Sequence, residues 1–430
     1  MDEAGLTRRG LLVGAGAVGL AAMAGVATAG SPFGGGRRTI DFWHLFGGGD
    51  GARLTEMLGK VRDLRVRSLI LPWGNPYYTK LSLAAVGGRP PDVAVVHATR
   101  LQGFAPNGLL EPLDSAELSR HGLSQDRFLP KPWAAGQVDG TQYAIPLDTH
   151  PFVLYVNTEL AGKAGLLDGD GVLKNLDGED ALLDAFDAVK KATGKSGIVF
   201  ETRGVTPWRL FLTLYSQAGG KPILTDAGRT VTLDDAKALR ALEWMAEPAK
   251  RGTGGADVDY QASVALFGNQ TAAFALNGEW EVTTFQTQKL KFDMRPVPNV
   301  MGTAHTQADS HTFVLPKKDR TPEQLDAALG FISQLIGQGQ TWAQGGHVPA
   351  YKPTFESGAY HKLVPQSHYA SVASTVVYDP PAWYSGSGSD LELQAGAAFQ
   401  PVATGQSSPR QGLSSFHAYL DRLSGVASPV

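Results

Sequence analysis

The chain has 430 residues, 43% of them hydrophobic and 18% charged, so it can bury a large core and is not a disordered polymer. Its length exceeds what a single hydrophobic core usually supports, which predicts two domains. A net charge of −3 with no basic stripe argues against a nucleic-acid partner, and the lack of any cysteine excludes disulfides, thiolate metal sites, cysteine nucleophiles and a lipid anchor on an N-terminal cysteine.

The segment "LTRRGLLVGAGAVGLAAMAGVATAGSP" orders a charged start (Thr7-Arg8-Arg9), an apolar run and small residues at Ala27-Thr28-Ala29. This is the pattern of a signal peptide over residues 1–29, and the paired arginines resemble a twin-arginine signal. Leu11 stands where that motif most often has Phe. An uncleaved anchor is the alternative.

Strand-like and helix-like segments then alternate. "TIDFWHLF" reads as a strand, followed by a helix with Leu54, Met57, Leu58 and Val61 on one face. "SLILPW" reads as a strand, "NPYYTKLSLAAVGG" as a helix and "PDVAVVH" as a strand. This order predicts a mainly parallel sheet covered by helices. "TQYAIPLDTHPFVLYVNTEL" reads as two extended pieces joined at Pro146-Leu147-Asp148, a crossing between lobes. "DALLDAFDAVKKATG" is an amphipathic helix. "VTPWRLFLTLYSQAGG" predicts another, with Thr206 as N-cap, Pro207 at the first helical position and Trp208 in the first turn. "TAAFALNGEW" alternates like a strand and ends in a turn bearing Glu279 and Trp280. "HTFVLPKK" is a strand, and "TPEQLDAALGFISQLIGQG" a helix opened by a Thr321–Gln324 capping box. "WYSGSGSD" reads as a loop before two short helices.

Several motifs fail on inspection. "FGGGDG" puts Asp50 where a phosphate would sit, and "ATGKSG" has Val189 where a phosphate-binding loop needs glycine. "DGDGVLKNLDGED" has calcium-loop spacing at Asp168, Asp170 and Glu179, but Val172 and Leu173 occupy the tight turn, so it reads as a solvated acidic loop. The ten histidines form no H-E-x-x-H and no short metal-binding pair, so no metal and no cofactor are expected. His44, His97, His150 and His311 each stand at or near the end of a strand-like run, where an open sheet places its ligand crevice. Trp43, Trp73, Trp208, Trp280, Trp342 and Trp383 stand at element ends, whereas Trp244 lies inside a helical pattern and belongs to a core. Aromatics beside Asp, Glu and His suit a sugar: the ring stacks on C–H faces while carboxylates accept from hydroxyls.

At this point the chain resembles the family 1 extracellular solute-binding proteins of ABC importers, chiefly those taking up sugars. The resemblance is carried by "PWGNPYYTKLSLAAVGGRPPDVAVVH", "YAIPLDTHPFVLYVNTEL", "FGNQTAAFALNGEW" and "AALGFISQLIGQGQTWAQGGHVPA", in that order. It implies a two-lobed α/β fold of the periplasmic-binding-protein type II kind, with a hinge of several crossings and a sugar held between lobes that close over it. The expected lobes are 37–147 plus 311–346, and 148–310 plus 347–430. Carried over position by position, the expected ligand contacts are Trp43 and His44, His97 and Arg100, Asp148 and His150, Trp208, Glu279 and Trp280, His311 and Trp383. The implied partners are a carbohydrate and the permease subunits of an ABC transporter, for a monomeric protein in the periplasm or on the outer face of the membrane. Relatives in single-membrane bacteria are usually held by a lipidated cysteine, which this chain lacks.

Two rivals remain. A glycoside hydrolase or lyase would use Asp148 and Glu279 as its carboxylate pair across the cleft. The same fold could instead bind a glycerophosphodiester, polyol or peptide, with Arg53, Arg100, Arg203 and Arg209 as phosphate candidates.

Overall fold

A computed structural model describes residues 38–428, and the expected signal segment lies outside them. The chain opens with β1 (Arg38–His44), α1 (Gly48–Gly59), β2 (Leu64–Ile70), α2 (Asn75–Val86) and β3 (Val93–His97). The crossing follows as β4 (Ala144–Pro146) and β5 (Asp148–Asn157), separated only by Leu147. Next come α3 (Glu179–Thr193), β6 (Ser196–Val199), α4 (Thr206–Gln217), α5 (Asp235–Lys250), β7 (Ala272–Gly278) and β8 (Phe292–Pro296). A return crossing is built from β9 (Thr306–Asp309) and β10 (His311–Val314), separated only by Ser310. The chain ends with α6 (Pro322–Ile336), β11 (Val348–Pro349), β12 (Val376–Val377), α7 (Asp390–Ala403) and α8 (Pro409–Ser424).

Two sheets result. The first has the order β2-β1-β3-β10-β4, and the second the path β12-β9-β5-β7-β6, with β8 and β11 also paired to β5. The expectation of mainly parallel sheets needs correcting. In the first sheet β1 runs parallel to β2 and β3, but β10 is antiparallel to both β3 and β4. In the second, β5 is antiparallel to β7, β8, β9 and β11, and only β6–β7 and β9–β12 are parallel. The reason is the crossing: β5 enters the second sheet directly from the first, with no helix to reverse the chain.

Both sheets are covered on both faces, so their strands read as apolar runs more than as alternations. Val93 and Val95 of β3 face one apolar cluster, with α1 and α6, while Ala94 and Val96 face another, with Tyr77, Tyr78 and Leu81 of α2. In β5, Phe152, Leu154 and Val156 face the cluster around α3, α4 and α7, and Val153 and Tyr155 face Phe267 and Phe285. The α6 capping box forms as its sequence predicts, with Gln324 N donating to Thr321 Oγ1 at 3.3 Å and Thr321 N to Gln324 Oε1 at 2.9 Å.

Three local expectations change, and one loop stands as expected. The second strand starts at Leu64 rather than Ser68, because it pairs with β1 from Arg38↔Leu64 to His44↔Ile70. It is a sheet edge, and its interleaved charges (Arg67 pairs with Asp41 at 2.5 Å) hide it from a search for apolar runs. Thr206 does not cap α4; it is the first helical residue, and both its N–H (3.1 Å) and its hydroxyl (2.6 Å) donate to Glu201 Oε2. The last two helices have 14 and 16 residues and are not short. In the acidic loop, Asp168 accepts from the N–H groups of Asp170 (3.0 Å) and Val172 (2.9 Å), a turn bonded to its own backbone.

Candidate functional site

The two crossings lie side by side and bring polar residues into the narrow space between the sheets. Register alone sets His97 of β3 opposite His311 of β10, and His150 of β5 opposite Asp309 of β9. The loop at residues 385–389 reaches across from the second sheet. Ser387 N donates to Thr99 Oγ1 at 3.1 Å, and Trp73 Nε1 donates to Ser387 Oγ at 3.0 Å. Glycine is required there: Gly386 has φ of +93°, and a Cβ on it would stand 2.6 Å from the Thr99 carbonyl. Thr99 also donates to Asp309, through its N–H at 3.2 Å and through its hydroxyl.

Between these contacts lies a small cavity walled by His150, Phe152, Arg209, Trp280, Gln307, Asp309, Ser387 and Glu392. Its volume is about 10 Å³, the size of one water, and the Thr99 bonds to Asp309 and Ser387 join the two sides beside it. Trp280 is set by Tyr260, whose hydroxyl accepts from its indole at 2.6 Å, and the Arg209 guanidinium lies 5.2 Å from its ring. The acids around this cavity are buried together, and burial pushes Asp309 up to about 7 and Glu392 well above the usual carboxylate range. Larger hollows, of about 640 and 800 Å³, share Leu113, Asp114 and Leu118 in their linings and include none of the residues that wall this cavity.

Behind the cavity is a fully buried ionic knot. Asp148 accepts from His311 N (2.9 Å), His311 Nδ1 (2.8 Å), His150 Nδ1 (3.2 Å) and Trp342 Nε1 (2.7 Å). His347 joins it: its Nδ1 lies 3.1 Å from Asp148 and 2.9 Å from Glu279, and its Nε2 bonds Asp50 at 3.0 Å. Burial works against charge on both, yet Asp50 and Asp148 raise His347 well above its ordinary value, and His311, His150 and His347 hold Asp148 well below its own. The Glu279–His347 contact is short but not aligned as a hydrogen bond, leaving both Glu279 oxygens without a donor among the described residues. Burial accordingly pushes Glu279 up to about 7.

Seven of the expected contact residues stand at the cavity or beside it. His150 and Trp280 wall the cavity; His97, Asp148, Glu279 and His311 stand directly behind it; and Arg100 lies 4.3 Å over the Tyr78 ring, beside the Thr99 contact. His44 is a packing residue: its ring stacks with Phe42 and Phe46, Nδ1 accepts from Phe46 N at 3.2 Å, Nε2 bonds Ser68 at 2.9 Å, and burial lowers it to about 4. Trp43 packs on the Tyr77–Leu81 cluster. Two others are corrected. Trp208 is wholly buried against Phe211 and Phe416, because successive helical residues point about 100° apart, and it is its neighbour Arg209 that faces the cavity. Trp383 donates to the Val426 carbonyl at 3.3 Å and lines a separate hollow beside Gln102 and Arg229.

Sequence reasoning missed Thr99, Gln307, Asp309, His347, Ser387 and Glu392 as neighbours of the cleft. Asp309 and Gln307 carried a signal, since "TQADSHTF" places them just before the strand read at "HTFVLPKK". His347, in "GGHVPA", sat in a segment quoted for its fold alone.

A fold of two sheets joined by crossing strands, closed on a polar cavity that carries an aromatic ring, defines a two-lobed ligand-binding protein. The chain belongs to the bacterial extracellular solute-binding protein family, whose model matches residues 74–363. Among solved structures, it is similar to the GacH receptor of Streptomyces glaucescens, known unliganded and with acarbose (19% identity, 90% of this chain and 99% of that one, TM-score 0.75). Maltose-bound MalE3 of T. maritima is another (21%, 90% and 99%, TM-score 0.75), as is the sugar-binding MalE of Xanthomonas citri (18%, 90% and 97%, TM-score 0.75). No helix among the described residues is long and apolar enough to cross a membrane.

Proposed function

We infer that this protein is the exported, non-catalytic binding component of an ABC importer, taking a carbohydrate between its lobes and presenting the closed form to the permease. The observation that carries this reading is the cavity wall itself. One aromatic face, Trp280, stands among carboxyl, amide, hydroxyl and guanidinium groups from Asp309, Glu392, Gln307, Ser387 and Arg209, the mixture a polyhydroxylated ring calls for. The sugar ligands of GacH and MalE3 point the same way.

A cavity of about 10 Å³ admits no sugar ring, since ligand pockets run to about 300–1,000 Å³. Loading therefore requires the lobes, 37–147 plus 311–346 against 148–310 plus 347–430, to part and re-close, with β4–β5 and β9–β10 as the flexing crossings. We assign export to the twin-arginine-like segment 1–29, and expect a monomer.

The hydrolase reading fares worse. Asp148 is already held by donors from His150, His311 and Trp342 and faces the charged His347, so it has no oxygen free to act as acid or base. A phosphate ligand is disfavoured too, because Arg209 shares its surroundings with Asp309, Asp379 and Glu392. The test is calorimetric titration with mono- and oligosaccharides, followed by chromatography of the recovered ligand. Saturable binding with intact sugar is expected; shortened products would establish catalysis instead.

A further inference from the structure

We propose that His97, His150 and His311 form a binding site for a late first-row divalent metal ion, of which zinc is the probe, at the junction of the two crossings. The three side chains come from β3, β5 and β10, and all are buried. One ring nitrogen from each lies within 4.8 Å of one from the other two. A tetrahedral zinc site with bonds of about 2.0–2.1 Å sets its nitrogens about 3.3 Å apart, so the His150 and His311 rings, stacked at 4.1 Å and 26°, must turn toward the ion to bind it.

What separates this cluster from packed structural histidines is what stands behind each ring. His150 Nδ1 and His311 Nδ1 both bond Asp148, at 3.2 and 2.8 Å, and His97 Nδ1 bonds the Tyr78 hydroxyl at 2.6 Å. A carboxylate only accepts, so in His150 and His311 Nδ1 carries the proton and Nε2 is the nitrogen left to meet an ion. That is the outer-shell arrangement that orients metal-binding imidazoles and raises their basicity.

The alternative trio Asp148, His311 and His347 is a poorer site, because Asp148 already accepts from His150, His311 and Trp342 and His347 Nε2 already bonds Asp50. Imidazole-only ligation selects zinc, copper, nickel or cobalt over magnesium or calcium. His97 and His311 extend the first sheet while His150 pairs within the second, so a bound ion ties the two lobes at their hinge. This inference does not rest on the carbohydrate reading.

The test is calorimetric titration of zinc chloride into the chelator-treated full chain, with no sugar present. One ion per chain at micromolar Kd or tighter is expected, together with visible d–d absorption from cobalt(II) in the same site. His97→Ala should abolish tight binding, and Tyr78→Phe should weaken it by about 10- to 100-fold. His361→Ala, at an exposed histidine, should leave it unchanged. No zinc binding by the unaltered chain would overturn the site, whatever the variants do. So would binding that persists in a folded His97→Ala protein, as judged by metal-free thermal unfolding.

Discussion

Asp148 carries its charge with no exposure to water, and the donors of His150, His311 and Trp342 and the His347 imidazolium are what make that tolerable. Replacing it with Asn keeps the shape and strands the imidazolium, so Asp148→Asn should cost about 3–5 kcal/mol in denaturant unfolding. A carboxylate held below its usual range contributes stability above that range and loses it as pH falls through the folded value, so the penalty should shrink toward acid pH. Glu279 has the opposite sign. Its folded pKa of about 7 exceeds the ordinary 4.5, so its ionisation destabilises the fold progressively from about pH 4.5 to 7 and by a constant amount above that. Glu279→Gln should therefore gain on the unaltered protein as pH rises from 5 to 8, by an amount on the order of 3 kcal/mol. Parallel Tm-against-pH curves for the two proteins would contradict this.

At the scale of elements, α4 shows what a one-residue step does. Trp208 enters the aromatic cluster with Phe211 and Phe416, while Arg209 turns toward Trp280. Trp208→Ala should lower stability by about 3–5 kcal/mol and leave the sugar affinity of the folded protein unchanged. Trp280→Ala should do the reverse, weakening affinity about tenfold or more, or roughly 1.4 kcal/mol, with little change in Tm. Calorimetry and thermal unfolding of both variants separate the two roles. The sequence was readable where an element declares itself locally: the buried run of β5, the capping box of α6 and the turn after β7 all stand as expected. It was not readable where pairing decides. Nothing local distinguishes Trp208 from Arg209 as the cavity residue, because helix rotation is set by the packing of α7 and α8. Nor does local sequence give the direction in which β5 joins its sheet, or that His347 would reach Asp148.

For the whole molecule, the contacts between the lobes include the bonds of Thr99 to Asp309 and Ser387 and of Asn75 to Asp390 (3.1 Å). Thr99→Val leaves Asp309 short of a donor only when the lobes meet, so it shifts the balance toward the open form. Sugar affinity should fall several-fold with the fold intact, because affinity scales with the closed population. The central claim is that a sugar is bound between the lobes by their closing. It is tested most directly by small-angle X-ray scattering of the purified chain before and after saturation with the saccharide that calorimetry selects. Since the space walled by His150, Trp280 and Asp309 holds no sugar unless the lobes part, the account predicts a radius of gyration that shrinks on binding in the unaltered protein. In Trp280→Ala the same decrease should require more sugar. A radius unchanged at saturation, or one that shrinks identically in Trp280→Ala, would contradict it.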